Sequence, residues 1–257
     1  MDTEMHLSTL IPGIDRKVRA RLYYPDDIPP VSCQHDGVHF DAITVEANDH
    51  VAITGLATQI PPNAKCCIVF LHGNGGCAAS RAHLVAPFFK LGAKVIVADY
   101  RGYGCNEGQP SERGLRHDAR AFYKYATETS NLPIILIGHS LGGNVAIQLA
   151  AETGIALAGL ITVNAVASVS AYAPAYIRPF ISDRYDAIPR AREIRIPWTI
   201  AHDIGDQVVS LRHGLALCQA NFPNIYMRLV TLNNRQHDFV TQSVGTLLAE
   251  HLDFLNP

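Results

Sequence analysis

Apolar residues along this chain fall into short blocks separated by glycine- or proline-marked breaks, and the spacing inside each block assigns its element. From Phe40 to Leu56 apolar and polar positions interchange (Phe40, Ile43, Val45, then Val51, Ile53, Leu56) around a polar Asn48-Asp49-His50 turn. That is the pattern of a β-hairpin at a sheet edge. After Pro61-Pro62 the pattern changes. Cys66–Leu71, Lys94–Ala98, the run from Ile134, Leu157–Val163, Ile196–Ala201 and Ile225–Leu232 are apolar runs suited to strands buried on both faces. Between them lie stretches of helical period: 81–91 closed by Gly92, 111–130 opened by a Ser111-Glu112 cap, a helix from Asn144, then 211–220 and 239–255.

Regular alternation of strand and helix predicts an α/β fold, a mainly parallel twisted sheet of about eight strands with helices on both faces and right-handed crossovers. Two segments break the alternation. Residues 1–38 read as an irregular arm. Residues 165–195, with Pro174, Pro179, Pro189, several tyrosines and a basic tail, read as a short cap-like insert. No repeat, low-complexity run or linker is visible, so residues 1–257 are expected to form a single domain.

Composition excludes more than it assigns. A net charge of −2 offers no electrostatic case for nucleic acid as a partner. The six cysteines have no Cys-x-x-Cys spacing and no zinc-type cluster with histidine, so reduced thiols and no metal are expected. Cys66 and Cys67 are adjacent in a strand and should face opposite ways. Met1-Asp2-Thr3-Glu4 does not open a secretory signal, and no apolar run is long enough to span a bilayer. The expectation is a soluble cytoplasmic protein without a membrane span.

The chemistry gathers at strand ends. The run from Ile134 ends in Gly138-His139-Ser140-Leu141-Gly142 and leads into a helix, the strand–turn–helix context of a nucleophile elbow. The turn is tight enough to strain the serine backbone, and glycine fits on either side where a side chain would collide. A serine hydroxyl needs a base, and in this fold acid and base follow in the order Ser, Asp/Glu, His. His237 is the only histidine between the last predicted strand and the last helix. After the strand ending at Ala201, Asp203 and Asp206 are both candidates for the acid. Asp206 is favoured, because the loop must clear the strand end before its carboxylate reaches back. An oxyanion hole requires two N–H donors. Leu141, directly after the serine, is one; Asn74, in the glycine-rich His72-Gly73-Asn74-Gly75-Gly76 turn, is the other. That turn lacks the Gly-Lys-Ser/Thr ending of a P-loop and the spacing of a dinucleotide fold.

Taken together, His72-Gly73-Asn74-Gly75, Asp99-Tyr100-Arg101-Gly102-Tyr103-Gly104, Pro110-Ser111-Glu112 and Gly138-His139-Ser140-Leu141-Gly142-Gly143 resemble the Bem46-like serine hydrolases of the α/β-hydrolase superfamily. The resemblance runs from about Phe40 to the C-terminus. It implies Ser140 as nucleophile, Asp206 as acid and His237 as base, and hydrolysis of an ester or thioester. One branch of that family removes palmitoyl groups from proteins, a role not expected here because residues 1–38 do not resemble that branch's cysteine-rich N-terminal segment. Asp203, Asn106, Ser210 and Gln236 depart from the family's usual residues.

The expected reaction is two-step acyl transfer on a small-molecule or lipid-like acyl ester or thioester, without cofactor. The insert stands where lipase-like relatives carry a large cap. Its Tyr172, Tyr176, Ile177, Phe180 and Tyr185 are candidates for an acyl pocket and equally for core contacts. Arg101 reads as a structural ion-pair partner. A non-catalytic ligand-binding protein of the same fold, and a peptidase or C–C hydrolase using the same triad, are the alternative readings.

Overall fold

The structure, a computed structural model, describes residues 19, 22–222, 224, 226–233, 237 and 241–255. Its elements are β1 (Tyr24–Pro25), β2 (Cys33–His35), β3 (Val38–Glu46), β4 (Ala52–Ala57), β5 (Cys66–Leu71), β6 (Gly75–Gly76), α1 (Ala78–Lys90), β7 (Ala93–Ala98) and α2 (Glu112–Thr129). They continue with β8 (Ile134–His139), α3 (Leu141–Ala150), β9 (Gly159–Val163), α4 (Ile188–Ala191), β10 (Trp198–Asp203), α5 (Arg212–Asn221), β11 (Met227–Leu232) and α6 (Thr241–Leu255). The main sheet has the order β11-β10-β9-β8-β5-β7-β4-β3-β2. The strands from β11 to β7 are parallel, and β4, β3 and β2 extend them as an antiparallel edge. The hairpin therefore lies where its alternation placed it, with β2 added outside it.

Side chains alternate across the central strands. Cys67, Val69 and Leu71 of β5 join one core with α2, α3 and the insert, while Cys66, Ile68 and Phe70 join the other with α1 and α6. The two adjacent cysteines thus point to opposite faces, and all six cysteines are free. Burial on both faces explains the unbroken apolar runs, since full burial of a large apolar side chain contributes about 1.5–3 kcal/mol. Among the described residues no helix is long and apolar enough to cross a membrane.

Polar anchors fix what the core leaves free. Ser111 caps α2, its Oγ accepting the Gly114 N–H at 3.0 Å. The adjacent Glu112 accepts from the Tyr185 N–H at 2.9 Å and from Gln148 at 2.8 Å. Tyr23 of the arm donates to Asp183 at 2.9 Å. Arm, α2, α3 and insert are thereby tied at one place. Arg101 is held by Asp118 and Asp49 at 2.6–3.1 Å, a structural ion network.

Several boundaries differ from expectation: the helix expected from Asn144 begins at Leu141, directly after the serine, and β9, β10 and β11 each begin two residues later than their apolar runs. α1 begins three residues before Arg81, capped by Cys77, whose N–H donates to Ser80 Oγ at 2.9 Å. The arm, read as irregular, contributes β1, which pairs in parallel with β6.

Candidate active site

The parallel strands β5, β8, β9 and β10 end on the same edge of the sheet, and the polar segments that follow them meet there. Ser140 sits between β8 and α3 at φ 53°, ψ −116°, a left-handed strained conformation. Its N–H donates to the Val163 carbonyl at 2.9 Å. The flanking glycines have a steric reason. A Cβ on Gly138 would press on Gly142 O and Gly143 Cα, and one on Gly142 would strike the Leu71 and His72 carbonyls.

The structure brings Ser140, His237 and Asp206 into a hydrogen-bonded line. Asp206 Oδ2 lies 2.7 Å from His237 Nδ1, and His237 Nε2 lies 2.8 Å from Ser140 Oγ. A carboxylate can only accept here, so Nδ1 carries the proton and Nε2 offers its lone pair to the serine hydroxyl. The second oxygen, Oδ1, accepts the N–H groups of Val208 and Val209 at 2.7 and 2.8 Å. The Asp206 side chain is wholly buried, while His237 keeps an exposed edge. Asp203 has a different place. It accepts the Gly205 N–H at 2.8 Å, and its own N–H donates to Asn164 Oδ1 at 2.8 Å, shaping the turn that carries Asp206.

Sequence reasoning missed what holds the histidine. The His237 carbonyl accepts from His139 Nε2 at 2.8 Å and from Asn164 Nδ2 at 3.0 Å. Asn164 follows β9 and is buried at positive φ. The one signal in the sequence was an asparagine directly after the apolar run that ends at Val163. Burial, with the nearby His237 and Arg81 charges, pushes His139 down to about 3, so it is neutral at neutral pH. Burial also lowers His202, whose Nε2 donates to the Val209 carbonyl at 2.8 Å and so supports the acid loop.

Asn74 and Leu141 face the same space as Ser140. Neither backbone N–H has a hydrogen-bond partner among the described residues. The rest of the Asn74 turn is braced. Tyr103 donates to the Asn74 carbonyl at 2.9 Å, and the Asn74 side-chain amide donates to Leu22 of the arm. Buried His72 lies between the Gly73 carbonyl at 2.8 Å and Asp99 at 3.1 Å. Buried polar groups so fully partnered make the turn rigid.

A cavity of about 800 Å³ opens over Ser140 and His237. Its walls are Leu22 and Tyr24 of the arm, Arg81, His83 and Leu84 of α1, Val166, Val169 and Tyr172 of the insert, and Val208 and Val209. Of the five insert residues considered from sequence, Tyr172 alone lines it. Tyr185 is buried and bonded to Tyr23, while Tyr176 is exposed to solvent. Ile177 and Phe180 lie in and beside the 3₁₀ turn Arg178–Phe180, away from the cavity. The insert is short and largely turn-like, so it leaves the cavity open.

Residues 62–190 match the family described as serine aminopeptidase, S33. The chain is 29% identical over 209 residues to an uncharacterized protein of Mycobacterium tuberculosis, covering 79% of this chain and 74% of that one. It is 28% identical over 174 residues to the protein bem46 of Schizosaccharomyces pombe, 63% of this chain and 58% of that one. Among solved structures, an esterase of Pyrococcus furiosus superposes with a TM-score of 0.71 at 16% identity, over 89% of this chain and 98% of that one.

Proposed function

The chain belongs to the α/β-hydrolases, in their Bem46-like S33 family, and we propose that it is a serine hydrolase of carboxylic esters or thioesters. The observation that carries this reading is the line Asp206–His237–Ser140, with contacts of 2.7 and 2.8 Å, opening onto an apolar cavity. Ser140 Oγ attacks the acyl carbonyl while His237 Nε2 takes its proton. The oxyanion is held by the N–H groups of Asn74 and Leu141, each donor worth about 2.7–4 kcal/mol in such sites. Asp206 keeps the imidazole in the useful tautomer and stabilises its charged form. His237 then returns the proton to the leaving alkoxide or thiolate, and a water activated in the same way releases the acid and restores Ser140. No cofactor enters this sequence. Arm and insert both wall the cavity, which supports treating residues 1–257 as one domain.

The family description names an aminopeptidase. Holding a peptide's α-ammonium group requires an anionic partner, and the cavity is lined by Arg81 and by no Asp or Glu among the described residues. This supports esters and thioesters over N-terminal peptides. The test is hydrolysis of p-nitrophenyl esters from acetate to palmitate, beside peptide anilides, by wild type and Ser140→Ala. Ester turnover abolished by the substitution is expected. Turnover that persists, or activity confined to the anilides, contradicts the reading.

A further inference from the structure

We infer that the cavity takes acyl esters or thioesters bearing an anionic group, a carboxylate or a phosphate, and that Arg81 receives that group. The inference rests on the hydrolase reading and adds a substrate class to it.

Arg81 lies in the first turns of α1 and lines the same cavity as Ser140 and His237. Among the described residues its guanidinium makes one hydrogen bond, Nη2 to the Gly75 carbonyl at 3.1 Å. No carboxylate pairs with it among the described residues. The contrast with Arg101, gripped by two aspartates, is direct. A partly buried guanidinium with most of its N–H fork unused is poised for a planar or tetrahedral anion.

The cavity's electrostatics point the same way. Asp206 is shielded behind His237, and no Asp or Glu lines the described walls, so Arg81 is the fixed charge there. Shape agrees as well. α1 packs with α6 on one face of the sheet, and the insert joins the core of the other. The cavity at the strand ends therefore has a cationic wall from α1. An apolar wall of Val166, Val169, Tyr172 and Val209 comes from the insert and the acid loop. A substrate with an apolar part and an anionic part matches both walls across the reacting carbonyl.

The test compares p-nitrophenyl hemiglutarate and p-nitrophenyl 4-phosphonobutyrate with the neutral p-nitrophenyl pentanoate, using wild type, Arg81→Gln and Arg81→Lys. Wild type should favour at least one anionic ester by about 10- to 100-fold in kcat/KM, the range of a charge-assisted hydrogen bond. Arg81→Gln should erase that preference mainly through KM, and Arg81→Lys should restore part of it. The preferred arm tells carboxylate from phosphate. Because Arg81 also braces Gly75, the ratio of anionic to neutral turnover is the readout; an equal fall on all three esters, or no wild-type preference, overturns the proposal. Calorimetry with glutarate against pentanoate on Ser140→Ala, with and without Arg81→Gln, reads the anion site without turnover. Arg81-dependent glutarate binding in a protein that hydrolyses nothing would sink the hydrolase reading and keep the anion site; absence of such binding overturns the site itself.

Discussion

Replacing Asp206 by Asn changes one atom type at the point where the geometry is most constrained. Val208 and Val209 aim two N–H groups at Oδ1, so an Asn would turn its carbonyl oxygen toward them and its NH2 toward His237. His237 Nδ1 would then have to accept, moving the proton to Nε2, where it meets the Ser140 hydroxyl as a donor instead of a base. The imidazolium of the transition state would also lose its counter-charge. At about 4 Å between charge centres and an effective dielectric of about 20, that attraction is about 4 kcal/mol. With the tautomer penalty the loss reaches about 4–5.5 kcal/mol, or 10³- to 10⁴-fold in kcat/KM, which is the range met when other Ser-His-Asp enzymes lose the acid. Thermal unfolding of the variant should stay close to wild type, because the buried N–H pair keeps its acceptor. Asp203→Asn is the control. Its carboxylate serves the Gly205 N–H, so activity should fall less than about tenfold, through loop placement. Equal losses in the two variants, or a larger one at Asp203, would refute the assignment of the acid.

Two further outcomes follow from the packing. Gly142→Ala drives a Cβ into the Leu71 and His72 carbonyls at the end of β5, which cannot yield without moving the strand; a loss of about 3 kcal/mol is expected, read as a melting temperature lower by about 6–12 °C. Acid should weaken the fold before the carboxylates titrate. His139 at about 3, and His202, His213 and His251 lowered by burial, bind a proton more readily once unfolded. Their contribution is complete above the ordinary imidazole value of about 6.5 and is lost as pH falls toward the folded values. His139 alone gives at most about 2 kcal/mol between pH 6.5 and 5, less for the edge it exposes to the cavity. Glu112 and Asp118, raised by burial, act in the opposite sense at the acid end. Denaturant titrations at pH 7 and pH 5 measure the difference; equal midpoints would contradict it.

What could be read from sequence and what could not divide along a physical line. Strands buried on both faces are written as apolar runs, and their helices are marked by caps such as Ser111 and by Gly92, because those signals are local. The elbow glycines are legible for the same reason: the collision they avoid involves backbone a few residues away. Contacts closed over long loops leave little trace. The pairing of β1 with β6, the grip of Asn164 on the His237 carbonyl, and the tie between Tyr23 and Tyr185 join segments 51 to 162 residues apart. Tyr185 could not be told from a pocket residue because its aromatic ring suits both places, and its hydroxyl finds a buried partner in the arm. The start of α1 was hidden because Cys77-Ala78-Ala79 carries neither a common cap nor an apolar period. Expectations at residues 1–18, 234–236 and 238–240 lie outside the described residues.

The central claim is that Ser140 is a nucleophile activated by His237. Its most direct test is intact-protein and peptide mass spectrometry after treatment with a fluorophosphonate, on wild type, Ser140→Ala and His237→Ala. A single adduct on the peptide bearing Ser140, absent from Ser140→Ala and formed far more slowly in His237→Ala, is predicted. An unlabelled wild type, or a label that survives in Ser140→Ala, would contradict it.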